Sequence, residues 1–235
     1  MSEARYLIVN GDDFGQSAGV NQGIIVAHER GILTSASLMV RWPQSSNAAE
    51  YGRSHPELSV GLHVDLGEFA FRDGRWVPQY YVVDQGDATA VQREIAGQLA
   101  EFRRLMRMDP THIDSHQHAH RSEPARSIVA NIARTVGVPV RDSDPRIRYC
   151  GQFYGQSSEG TPWPTGITVD ALIEILGELE PGFTELGCHP AIEADLDTMY
   201  REERMRELTA LCSPRVRAAI DEMGIVLCPF GTVIC

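Results

Sequence analysis

The chain contains no lysine; all 21 of its basic residues are arginine. That excludes any mechanism that runs through a lysine Schiff base, and any phosphate-binding loop built on lysine. Cysteine is scarce as well. Cys150, Cys188, Cys212, Cys228 and Cys235 form no CxxC pair, and an odd count does not suit a disulfide framework, so buried free thiols are expected. No apolar run approaches the roughly 18 residues of a membrane span. The first ten residues lack the basic-then-apolar layout of a secretion signal, and a cytoplasmic location is the expectation. Net positive charge is missing too. At −11 the chain does not offer the basic face that nucleic acid or an anionic membrane demands.

What is present is 235 residues, 43% of them hydrophobic, enough to bury a sizeable core in a single domain over 1–235. Apolar segments alternate with helical periodicities along the whole length. Strands are expected at Tyr6-Leu7-Ile8-Val9, 35–40, 58–66, 111–120, 138–142, 183–188 and 225–230. Helices are expected at about 17–30, 43–52, 89–108, 122–136, 168–179, 200–211 and from 213 onward, several opened by Ser or Thr caps. The charges of the 200–211 helix read as a solvated face. Two stretches, 69–87 and 143–166, show no period and read as long loops. The first carries Trp76, Tyr80 and Tyr81; the second carries Phe153, Tyr154 and Trp163, rings suited to the apolar faces of sugars or to an ordinary surface excursion. Strand–helix alternation implies a mostly parallel sheet, and about seven strands with polar groups after several of them imply closure toward an α/β barrel.

Those polar groups are specific. Asp12 and Asp13 follow the first strand, where α/β proteins place chemistry, although a turn and a helix cap would also explain an acidic pair. His63 and Asp65 lie on the polar face of the third strand. The fourth, Thr111-His112-Ile113-Asp114-Ser115-His116-Gln117-His118-Ala119-His120, places four histidines and a carboxylate at every second position. A strand would aim all five to one side, and imidazoles with carboxylates are good ligands for divalent ions. A His-rich surface loop is the alternative. Arg141 ends the fifth strand, and His189 follows the sixth.

These motifs carry a resemblance. Ile8-Val9-Asn10-Gly11-Asp12-Asp13-Phe14-Gly15, Gly31-Ile32-Leu33-Thr34-Ser35, Gly61-Leu62-His63, the histidine-rich run and Cys188-His189-Pro190 occur in an order that resembles the YdjC-type carbohydrate deacetylases. That group includes the chitooligosaccharide deacetylases and the hopanoid-associated HpnK enzymes. The likeness departs at Gly11, where the family usually has alanine, in 69–87, and after His189. It implies an irregular (β/α) barrel related to the NodB-type polysaccharide deacetylases. It implies one divalent ion held by Asp13, His63 and His116: Mg²⁺ by family habit, while two imidazoles and a carboxylate suit Zn²⁺ or another transition metal. Asp12 is then the expected general base, His189 the candidate acid, and Arg141 the group that orients Asp12. His118 and His120 are left as supporting groups or alternative ligands, and His112 and Asp114 as structural. The implied partner is an N-acetylated sugar or oligosaccharide, with a homodimer as the analogous assembly. Two other readings compete. One is a metal-dependent phosphoesterase or amidohydrolase, which would want more than one ion. The other is a non-catalytic sugar-binding or metal-binding protein.

Overall fold

The computed structural model describes residues 4–234. Its elements run β1 (Arg5–Phe14), α1 (Ala18–Arg30), β2 (Ser35–Leu38), α2 (Ser45–Ser54), β3 (Ser59–Val64), β4 (Gly67–Arg72), β5 (Arg75–Tyr81), α3 (Ala88–Met106), β6 (Ile113–Ser115), α4 (Ala125–Val136), β7 (Ile147–Cys150), α5 (Val169–Gly177), β8 (Gly182–Cys188), α6 (Glu202–Leu211), α7 (Pro214–Glu222), β9 (Ile225–Leu227) and α8 (Gly231–Ile234). Seven strands form one parallel sheet in the order β6-β3-β2-β1-β8-β7, with β9 pairing the first half of β1. β1 is the axis: Asn10 pairs with Ser35 on β2, and Gly11 with both Ala36 and Cys188. Leu7, Ile8 and Val9 are fully buried, as expected for a central parallel strand covered on both faces.

The sheet curls into a half-barrel. Val140 bridges Ile113 on the outer edge of β6. The next residue, Arg141, nevertheless bonds Glu185 on β8 at 2.7 Å. In a flat sheet four strand spacings would hold β6 and β8 about 19 Å apart, far beyond the reach of one side chain. No helix of the described residues is long and apolar enough to cross a membrane.

Four expectations are corrected. The histidine-rich run is a strand only to Ser115; His116–Arg121 is a 3₁₀ turn in which Gln117 (φ 48°) and His118 (φ 54°) are left-handed. The 69–87 loop contains the antiparallel hairpin β4–β5, closed by Asp73 and Gly74, both at positive φ. That Asp-Gly pair, between Phe71 and Trp76, is a recognised hairpin signal. The 138–142 strand shrinks to the Val140 bridge, because Pro139 has no N–H to give a ladder. β7 forms inside the stretch read as irregular.

Two glycines separate packing from propensity. A methyl group at Gly61 would lie 2.4 Å from the buried His112 ring, which stacks on Phe230. Exposed Gly97, within α3, has nothing within 4 Å. Gly61→Ala should therefore cost about 2 kcal/mol or more, whereas Gly97→Ala should add about 1 kcal/mol. Urea unfolding of both variants checks this; equal effects would contradict the packing account.

Candidate active site

The end of β1 sets the geometry. In a regular strand neighbouring side chains point to opposite faces. Here Asp13 adopts φ 67°, and the register with β2 shifts between Gly11 and Phe14, so Asp12 and Asp13 both face one cavity. Leu33 Cδ1 lies 2.8 Å from where a Cβ at Gly11 would be, so Leu33 fills the space that an alanine methyl would take.

The two carboxylates face different neighbours. Asp12 accepts two hydrogen bonds from Arg141, Nη1 to Oδ2 at 2.6 Å and Nη2 to Oδ1 at 2.7 Å, and a third from Asn10 at 2.9 Å. Burial works against its charge, but the guanidinium outweighs burial and lowers its pKa. Asp13 Oδ1 lies 3.0 Å from His116 Nδ1 and 3.3 Å from His63 Nε2, while its Oδ2 accepts from Arg204 at 2.6 Å.

Asp13, His63 and His116 are all buried, with donor atoms within 4.8 Å of one another. The spacings of 3.0 and 3.3 Å match the edges, about 3.0–3.4 Å, of a coordination shell with bonds near 2.0–2.1 Å. His63 Nδ1 is engaged by Asp114 Oδ1 at 2.7 Å, which leaves Nε2 as the nitrogen facing Asp13. Burial opposes positive charge on His63, yet Asp114, Asp13 and Asp12 push its pKa up to about 10. A field that favours a proton there also favours a metal cation. His116 presents Nδ1 to Asp13, and its other nitrogen, Nε2, lies 3.6 Å from Glu68 Oε2. The donor set therefore fits a divalent ion. A second group, Asp12, His63 and Asp114, meets the same distance test, but the Arg141 guanidinium already fills the space between its carboxylates.

Asp114 is not the lower, merely structural residue expected from the strand. It orients His63 and also binds Ser37 at 2.5 Å and Arg141 at 2.8 Å. His112 is core, its pKa lowered to about 4 by burial. His118 and His120 leave the face of His116 because the chain turns. His120 bonds Ser115 at 2.7 Å and the Arg141 carbonyl oxygen at 3.2 Å, and His118 packs edge-on against Tyr149. Neither belongs to either candidate ligand group.

His189, just past β8, lines the same cavity. Its Nε2 lies 3.8 Å from Asp12 Oδ2 and its Nδ1 3.8 Å from Glu207 Oε1, and Glu207 also accepts the His189 backbone N–H. The charges of α6 are thus only partly solvated: Glu202 and Arg206 are exposed, while Glu203, Arg204 and Glu207 are buried. Sequence reasoning missed Glu68, Arg204 and Glu207. The signal for the last two was available, because Tyr200, Glu203, Arg204 and Glu207 share one helical stripe. The cavity, about 560 Å³, is walled by Phe69, Trp76, Tyr149, Tyr154 and Tyr200.

A family model described as YdjC-like protein matches residues 6–222. A carbohydrate deacetylase of Geobacillus stearothermophilus is 32% identical over 95% of this chain and 96% of its own length. A chitooligosaccharide deacetylase of Klebsiella pneumoniae is 34% identical over 94% of this chain and 96% of its own. Among solved structures, an Enterococcus faecalis protein provisionally described as a cellobiose-phosphate cleavage protein superposes with a TM-score of 0.78, at 26% identity, covering 98% of this chain and 99% of that one. A family 4 carbohydrate esterase from Streptomyces lividans shares the fold with a TM-score of 0.58, at 15% identity, covering 97% of this chain and 93% of that one.

The interior of the barrel makes one titration visible. Asp12, Asp114 and Glu185 all converge on Arg141, and Glu185 Oε2 is buried without a partner. Burial, outweighing Arg141, raises the Glu185 pKa from 4.5 to about 7. The folded state then holds a proton that the unfolded chain has released. Stability is full below the unfolded value and falls as pH rises toward about 7, by a ceiling of about 3 kcal/mol. Glu185→Gln should remove that slope. Urea unfolding from pH 4.5 to 8 checks it, and identical slopes for variant and parent would contradict it.

Proposed function

The chain belongs to the YdjC-like family, and from that premise we propose that it hydrolyses N-acetyl groups from an amino sugar or an N-acetylglucosamine-containing oligosaccharide or glycolipid. The names of its relatives support the substrate class. The observation that carries the reading is a juxtaposition. Asp12 and His189 lie 3.8 Å apart, too far to be committed to each other by a hydrogen bond, and both line the cavity that holds Asp13, His63 and His116.

Asp13, His63 and His116 are the residues that would hold the divalent ion, and the two-imidazole, one-carboxylate set favours Zn²⁺ or a similar transition metal over Mg²⁺. When bound, such an ion polarises the acetyl carbonyl and acidifies water. Asp12, kept ionised by Arg141, accepts a proton from the attacking water. Arg141 fixes both Asp12 oxygens and so decides which way the base points. His189 gives a proton to the departing sugar amine, with Glu207 behind its other nitrogen. The aromatic wall receives the sugar ring's apolar face. A phosphoesterase with two or more ions finds less support, because a second ion among Asp12, His63 and Asp114 would have to displace Arg141. We also propose a cytoplasmic location, from the absence of a secretion-signal layout in the first ten residues, and a homodimer by analogy with the family.

The test is acetate release from N-acetylglucosamine oligomers, with metal content measured alongside. Asp12→Asn should lower turnover at least 100-fold with metal content near that of the parent. His63→Ala should lose both metal and turnover. Wild-type turnover in Asp12→Asn would remove Asp12 from its role, and failure of the parent to release acetate would remove the activity itself.

A further inference from the structure

Arg204 is buried, 3% exposed, and lines the cavity. Two of its three nitrogens are committed: Nη2 to Asp13 Oδ2 at 2.6 Å, and Nε to the Tyr200 carbonyl oxygen at 2.9 Å. The third, Nη1, is buried and has no hydrogen-bond partner. An unfilled donor on a buried cation is costly, so a site that keeps one is built to receive an oxygen. Arg204 lies over the Tyr200 ring, 5.8 Å from its centroid, and Tyr154 stacks on that same ring at 4.5 Å and 8°. Tyr154 also lines the cavity, and its hydroxyl makes no hydrogen bond among the described residues. Burial raises the Tyr154 pKa well above the ordinary phenol value, so it stays a neutral O–H donor.

We propose that Arg204 Nη1 and the Tyr154 hydroxyl form a small carboxylate-binding subsite beside Asp13, and that its occupant is the acetate released by hydrolysis. A guanidinium N–H and a hydroxyl on residues that line one cavity offer two donors to a group with two acceptor oxygens, the pairing that arginine serves best. Asp13, shared between Arg204 and the metal-ligand group, puts this subsite next to the reacting centre. Arg204 is thereby a product-side anchor as well as the support of Asp13. The acetate assignment rests on the deacetylation reading; carboxylate binding itself does not.

The experiment uses no sugar, so its failure is separate from a failure of deacetylation. Binding of [1-¹³C]acetate to the zinc-loaded protein is measured by NMR titration, with acetamide as the neutral counterpart and zinc content determined for every variant. The wild type should prefer acetate over acetamide. Arg204→Gln should weaken acetate binding about tenfold or more, and Tyr154→Phe severalfold, with zinc content unchanged in Tyr154→Phe. The proposal is overturned if Tyr154→Phe binds acetate as the wild type does, or if the wild type binds acetate and acetamide equally. Should Arg204→Gln fail to fold or lose zinc, Tyr154→Phe alone decides.

Discussion

The Arg141 guanidinium is the tie on which this half-barrel depends. From beyond the β6 edge it bonds Glu185 on β8, both oxygens of Asp12 on β1 and Asp114 on β6, all within 2.6–2.8 Å. The adjacent strands β1 and β8 and the β6 strand that a flat sheet would hold far from them are drawn onto one cation. Buried ion pairs are poor stabilisers in general, because desolvation offsets attraction. Their value here is geometric. Three acids around one guanidinium cannot all ionise cheaply, and the burial-raised pKa of Glu185 shows where the excess falls. The ring of Tyr149 lies 5.0 Å from the guanidinium, and the Arg141 carbonyl oxygen is met by His120, so the cation is held from its backbone as well.

From that tie follows a division of labour between two adjacent carboxylates. Asp12 faces Arg141, and Asp13 faces two imidazoles and Arg204. A single left-handed residue, Asp13 at φ 67°, keeps both on the cavity side. Non-glycine residues pay strain for that conformation, and such strain clusters at functional sites. The imidazoles are themselves backed by acids: Asp114 behind His63, Glu68 near His116, and Glu207 near His189. Carboxylates behind histidines fix ring orientation and tautomer.

Much of this was legible in the sequence, for identifiable reasons. A covered central parallel strand is a continuous apolar run, so β1 stood out, β3 stood out by its alternation, and chemistry gathers at the C-terminal ends of such strands. Asp12, Asp13, His63, Arg141 and His189 are therefore read at strand ends in the sequence itself, and the family resemblance adds His116 as a ligand beside Asp13 and His63. The histidine run misled because alternation was extended past Ser115. Period two identifies a strand only while the backbone stays extended, and Gln117 and His118 do not. Asp114 was assigned a structural role because its depth on a strand says nothing about which histidine lies on the neighbouring one. Glu207 and Arg204 were hidden by a sound default, that charged helical faces are solvated, which fails where α6 packs its charges against a polar site.

The central claim is that one cation is held by Asp13, His63 and His116 while Arg141 excludes a second from Asp12 and Asp114. Anomalous diffraction at the zinc edge from zinc-soaked crystals tests it most directly. The account predicts a single strong peak within bonding distance of Asp13, His63 and His116, with Arg141 still paired to Asp12. A peak between Asp12, His63 and Asp114, or two peaks with Arg141 displaced, would contradict it.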